Sequence, residues 1–576
     1  MRLVIACWCL LLAFFLSVTA YYVIFHHVSP LSRDQWHMLD ALFHQGLWQT
    51  SITTVSGHRH ILAFLLYRID LDFFSGKNHF LIAFDWCLNI SFISVLCRQV
   101  FLDARDRLLR FFLAGWIVVM LTWLLNIALL GWGFNGINNY MSIVNTVMSV
   151  FFLHKAVREP DARIFNLCVA LLSGGLATLS FGNGILVWPI WFLCLFLLRV
   201  PAVFFQWAAA GAAVFFGAYM LLPGREAVGQ ALLFSPVNLL RFPVELMGGP
   251  LYHLLRAWRF LPENILLQLS YAFGLLVCIA TFLFVFRLLR DRPAMSRLHV
   301  MALTLVCIGF GTTIMLTLTR VDGVLDPATD RFQIWALLVW IGLAISWCET
   351  TSLSCRRCWM VVFLVFPAAA FPSQLDWGAR LAEYRTRVDN SLLAYQVYLP
   401  VAKDAEKALH WNWENKLPHL FPVLEKIRYE KRNIFADGKA AWLDQTQPLV
   451  DTLRECDMRI QKQESITAGE LIDVRQYPDA AKYVVKFTQP DELVGKRWMI
   501  DVGESDWEYG VVANAAGVIR GLAQPVRNSR LPRFNGLLND AYNAYAVTRT
   551  DGDMSTGDSH QLLLFAAGKP LCRYSL

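Results

Sequence analysis

Asp34, the run His58-Arg59-His60, and the arginines Arg320 and Arg331 are the residues of this chain whose types and placement could do chemistry. Asp34 follows closely on the first apolar stretch, which puts a carboxylate at membrane level near a basic cluster. Arg320 and Arg331 bracket a short loop at the ends of two apolar stretches. Guanidinium groups keep their charge and grip phosphate oxygens in a two-pronged fork, so this pair suits a lipid-linked phosphate. Each residue also has a plainer use. Asp34, or Ser32 before it, could cap the helix that follows, and Arg59 could snorkel to lipid phosphate. Arg320 and Arg331 could pair with Asp322 and Asp330. The chain carries no Walker loop, no Gly-x-Ser-x-Gly elbow and no His-Glu-x-x-His. Cys355-Arg-Arg-Cys358 has a metal-ligand spacing but no second pair nearby, and reads as two reduced thiols.

The elements that must position these residues are set by composition. With 56% hydrophobic and 16% charged residues and a mean hydropathy of +0.44, the chain reads as a multi-span membrane protein. Eleven apolar stretches, at 3–25, 79–97, 111–132, 137–155, 164–181, 184–199, 202–222, 265–287, 300–318, 332–348 and 359–372, predict about eleven transmembrane helices. The last is shortest and ends at Pro372. Residues 1–20 alternatively resemble a signal peptide ending Val18-Thr19-Ala20, although the apolar run continues to Phe25. With the N-terminus inside, the inner loops hold fourteen basic residues, and the short outer loops 133–136 and 182–183 hold none. This orientation puts loop 26–78 and everything after residue 372 outside. The net charge of +7 is mostly this loop bias, and no clustered basic face suggests nucleic-acid binding.

Within loop 26–78, apolar spacing through Trp36, Leu39, Leu42, Phe43 and Leu47 predicts an interfacial amphipathic helix over 35–49, repeated over 60–74. The segment Phe181-Gly-Asn-Gly-Ile-Leu-Val-Trp-Pro189 reads as a tight reversal in which Gly182 and Gly184 allow positive φ. Segment 223–264 has apolar helical pieces that could fold back over the membrane face or lie on the surface with solvated charges.

The chain divides into a transmembrane domain (1–372), a helical linker region (373–458) and a β-rich domain (459–576). In the last, Tyr483–Phe487, Arg497–Ile500, Gly510–Ala513, Gly517–Gly521 and Gln561–Phe565 read as short strands of a small β-sandwich. Trp498 and Trp507 could face a glycan or the core. Cys456 and Cys572 alone lie in the exported region, where oxidation is possible, and form a candidate disulfide.

An aspartate just after the first span, a pair of amphipathic helices, a His-Arg element, a Phe-Gly-x-Gly-x-x-x-Trp-Pro turn and a late Arg-x(10)-Arg-Phe loop precede an exported soluble domain. This layout resembles the bacterial integral-membrane glycosyltransferases of the GT-C superfamily over residues 1–372, especially those associated with O-antigen and other surface polysaccharides. The β tail is similar, more weakly, to domains appended to arabinofuranosyltransferases. The resemblance implies a polyprenyl-phosphate sugar donor and a glycan or glycolipid acceptor at the periplasmic face of the inner membrane. It implies that Asp34 is the essential acidic residue, the general base of an inverting displacement. Arg59, Arg320 and Arg331, with His58, would then stabilise the departing phosphate. Relatives often carry two adjacent acidic residues where this chain has Arg33-Asp34, so no cofactor is certain, though a divalent metal is open. Other classes fit the same layout: a flippase for a lipid-linked glycan, which charges in mid-span would favour and which are few here; a polymerase or ligase; or an assembly protein working through its β domain.

Overall fold

The computed structural model describes residues 2–31, 35–52, 54–55, 58–104, 106–222, 236–291, 295–320, 330–350, 353–397, 423–424, 426–436, 438–443, 445–446, 453–466, 493–502, 507–527, 542–551, 560–566 and 569–576. They are mostly helical. In chain order come α1 (Arg2–His26), α2 (Gln35–Ile52), β1 (Thr54–Val55), β2 (His58–Arg59), α3 (Ile61–Phe73), α4 (His79–Asp103), α5 (Arg107–Thr122), α6 (Ile127–Leu130) and α7 (Gly133–Arg158). Next are α8 (Arg163–Ser180), α9 (Val187–Leu198), α10 (Ala202–Leu221), α11 (Pro236–Trp258), α12 (Glu263–Asp291), α13 (Arg297–Arg320), α14 (Gln333–Thr350) and α15 (Leu353–Gln396). Seven strands follow: β3 (Met458–Ile466), β4 (Leu493–Val502), β5 (Tyr509–Asn514), β6 (Ile519–Arg527), β7 (Tyr542–Asp551), β8 (His560–Ala566) and β9 (Lys569–Ser575).

Contacts group these elements into two compact units. One comprises Met1–Phe25, Leu47–Arg68 and Phe80–Gly378; the other comprises His26–Gly46, Ile69–His79 and Ala379–Leu576. Among the described residues nine helical stretches of the chain are long and apolar enough to cross a membrane, and Gly182–Leu198 and Gln333–Cys348 are shorter apolar helices. These helices are compatible with a multi-pass membrane protein.

In the first unit α7 packs on α8, α13 on α14 and α11 on α12. The apolar window of Arg107–Leu130 is 94% buried and that of Glu263–Asp291 only 22%, so α5 and α6 form the interior and α12 the rim. The last apolar helix does not stop at Pro372, as its sequence suggests. It runs through Pro367 and Pro372 to Gln396. Each proline removes one backbone hydrogen bond, but tertiary anchoring holds the axis. Buried Gln374 accepts from Leu124 N at 2.7 Å and donates to Thr19 Oγ1. The turn at Gly182–Leu186 is a short 3-10 segment, and neither of its glycines has positive φ. Gly184 is needed for a different reason: a Cβ there would lie 1.8 Å from Ala177 O.

In the second unit the C-terminal strands form one antiparallel sheet, in the order β3-β4-β7-β6-β5-β8-β9. This corrects the expectation of two facing sheets. Cys456 N donates to Arg573 O at 2.8 Å, and Glu455 bridges Arg573 in parallel, so the chain entering β3 runs beside β9. The two edges of the sheet therefore meet, which hides strand edges as barrel closure does. Bulges at Ile460/Lys462, Val512/Ala513 and Leu564/Phe565 supply the bending. A Cys456–Cys572 disulfide, Cα–Cα 5.2 Å, fastens the seam. Trp498 and Trp507 lie in the core enclosed there with Ile500, Val512 and Leu564, and do not form an outer platform. The expected strand at 483–487 lies outside the described residues.

Candidate functional site

Of the residues singled out by sequence, Asp34 lies outside the described residues. So do the side chains of His58 and Arg320, whose backbones open β2 and end α13, respectively. The two predicted helices of loop 26–78 form as α2 and α3, and α2 is broken at Gly46, where φ is +76°. Trp36, Leu39 and Leu42 are buried along one side of α2, as their helical spacing predicts.

In the second unit the chain on both sides of 32–34 is held by Asn78. Its Oδ1 accepts from Gln35 Nε2 at 2.7 Å, and its Nδ2 faces the carbonyls of Val28, Ser29 and Pro30 at 3.3–3.4 Å. Asn78 is fixed in turn by donating its backbone N–H to Asp70 Oδ2 at 2.9 Å. Its φ of +60° is one that asparagine tolerates better than most residues. Buried Asn433 holds the same loop from the C-terminal region, its Oδ1 accepting from Leu31 N at 3.4 Å and its Nδ2 donating to Gly76 O. Arg432 pairs with Asp72 at 3.1 Å.

In the first unit Arg59 is 2% exposed. Its guanidinium donates to Ile52 O and, at 2.7 Å, to Leu222 O. Those carbonyls close α2 and α10, so one cation caps two helix C-termini, where backbone acceptors are orphaned and the dipole favours positive charge. The Tyr219 ring lies 5.7 Å from the same guanidinium. Next in the chain, His60 donates from Nδ1 to Asn138 Oδ1 at 2.9 Å, since an amide oxygen only accepts. Its ring sits 5.6 Å from both Phe134 and Phe181. Two segments distinguished in the sequence, His58-Arg59-His60 and the Phe181 turn, thus meet. From that turn Asn183 accepts from Ser142 at 2.9 Å and donates to Thr312 Oγ1 at 3.3 Å.

Asn138, Ser142, Asn183 and Thr312 were not picked out by sequence reasoning. The usable signal was the run of polar residues along α7, with Asn138, Ser142 and Ser149 at helical spacing and Asn135, Asn139, Asn145 and Thr146 among them. Arg331 lies in the 3-10 turn before α14 with its guanidinium 4.8 Å from the Phe332 ring.

Along α12 the first unit has an apolar cavity of about 1220 Å³. Trp116, Phe273, Trp340, Trp359 and Phe366 line it, and Arg287, Asp291 and His299 are its charged or basic lining residues. From Phe273 to Asp291 the helix rises about 27 Å, close to the depth of a bilayer's hydrocarbon. The arrangement can hold a long apolar chain.

Compared with models of protein families, with curated proteins and with solved structures, the chain matches none.

Proposed function

We propose that this protein is an integral-membrane glycosyltransferase. It moves a sugar from a polyprenyl-phosphate donor to a surface-glycan acceptor at the outer face of a bacterial inner membrane. Asp34 takes the acceptor's hydroxyl proton as that oxygen attacks the anomeric carbon, and the bond to the lipid phosphate breaks with inversion. Arg320 and Arg331, with His58, hold the phosphate as it gains charge. Arg59 contributes its positive potential and fixes the backbone leading to His60, since its guanidinium donates to Ile52 O and Leu222 O.

The observation that carries this reading is the apolar cavity, which has the depth and the aromatic lining to accept an isoprenoid chain. The Cys456–Cys572 disulfide supports an oxidising compartment for the C-terminal region. The test is mass spectrometry of surface glycans and lipid-linked intermediates with and without the gene. Loss of one sugar from the glycan, with accumulation of its polyprenyl-phosphate form, supports the reading. Unchanged profiles in both pools refute it.

A further inference from the structure

The interior of the first unit holds one seam the proposed chemistry does not use. Asp85, a turn and a half into α4, is 1% exposed, and neither carboxyl oxygen has a hydrogen-bond partner. It lies against α7 at Gly136, where a Cβ would meet Asp85 Oδ2 at 2.0 Å and Leu129 O at 2.4 Å. The carboxylate and the Leu129 carbonyl therefore converge on the same side of the glycine. Asn89 follows Asp85 by one helical turn, and Tyr140 follows Gly136 by one turn, so both extend the same seam. Both are fully buried. Asn89 spends an Nδ2 hydrogen on Leu121 O at 3.0 Å and leaves Oδ1 without a partner, and the Tyr140 hydroxyl has none either.

A count of donors and acceptors does not balance. Two carboxylate oxygens, an amide oxygen and a nearby backbone carbonyl meet one hydroxyl hydrogen and the second Nδ2 hydrogen of Asn89. A buried carboxylate costs several kilocalories per mole unless a positive partner is present, and within a bilayer such groups mark ion or proton sites. No Arg, Lys or His among the described residues bonds or pairs with Asp85. An all-oxygen set with a single carboxylate matches a hard ion of low charge better than a transition metal.

We infer that Asp85, with the Leu129 carbonyl, Asn89 and Tyr140, forms a buried binding site for an alkali cation that ties α4 to α7. The inference does not depend on the glycosyltransferase reading. It is tested on the purified full chain in detergent, by thermal unfolding at fixed pH and ionic strength in lithium, sodium, potassium and N-methylglucamine chlorides. One alkali cation should raise the midpoint saturably, by about 2 °C or more over N-methylglucamine, and Asp85→Asn should abolish that rise. If Asp85→Asn does not fold, Tyr140→Phe carries the test. A several-fold weaker half-saturation supports the site, and an unchanged one overturns it. Equal midpoints in all four salts, a cation effect that survives in Asp85→Asn, or a response to pH with none to cation identity would each overturn it.

Discussion

Gln35 donates from its side chain to Asn78 Oδ1 at 2.7 Å, one residue after Asp34 in the chain. Asn78 also faces the carbonyls of Val28, Ser29 and Pro30 on the other side of the 32–34 segment. A single asparagine thus holds both approaches to the residue assigned as base. Its own conformation is fixed by Asp70 and by the left-handed backbone that asparagine accepts.

Replacing Asn78 with Ala should free both approaches while the helices of the first unit stay folded. Removing one partner from buried hydrogen bonds costs about 1–3 kcal/mol. The check is hydrogen exchange by mass spectrometry. Amides of 26–31 and 35–46 should exchange faster in the variant, and those of α5 should be unchanged.

Arg59→Lys should lower the stability of the whole chain by about 1.5–3 kcal/mol, because an ammonium cannot fork between Ile52 O and Leu222 O. Thermal unfolding in detergent measures it. If Arg59 acted only on a substrate phosphate, the unliganded variant would be as stable as the parent.

The positions of the long apolar helices were largely legible in the sequence. Length and apolarity find them, because a bilayer imposes both. The end of α15 was not legible. A proline signals a stop locally, and what overrides it, Gln374 reaching Thr19 and Leu124, is far away in the chain. The capping role of Arg59 was hidden for the same reason, since Leu222 is distant in sequence. Asp85 belongs to no motif in the sequence, and only Gly136 opposite shows how tightly it is enclosed. Strands β3, β7 and β9 were not legible: Arg459, Lys462 and Glu464 interrupt β3, and Lys569, Pro570 and Arg573 interrupt β9. Sheet closure escaped because the Glu455–Arg573 bridge joins opposite ends of the C-terminal region.

Reducing the Cys456–Cys572 bond, or replacing both cysteines with Ala, should destabilise the closed sheet by about 2–4 kcal/mol, because the bond closes a loop of 116 residues. Faster exchange in β9 and in β3 is the expected readout. A sheet equally protected in reductant would show that the meeting edges hold without it.

Glu464 gives a pH signature. A hydrogen bond from Lys462, aided by Arg497 across the β3–β4 pair, holds its carboxyl below the usual glutamate range. A carboxyl depressed in the folded state adds stability above its unfolded pKa of about 4.3 and loses it as pH falls through the lower folded value. Protection of β3 should therefore fall below about pH 4.3 more steeply in the parent than in Glu464→Gln. Parallel profiles would show that Glu464 contributes nothing there.

The most direct measurement is transfer itself. Asp34→Asn is made in the full chain, matched to the parent for amount and membrane insertion, and supplied with a polyprenyl-phosphate sugar and a glycan acceptor. The account predicts a drop in transfer of about 10²–10⁴, the usual share of a general base, with donor binding retained. Transfer at the parental rate would contradict it.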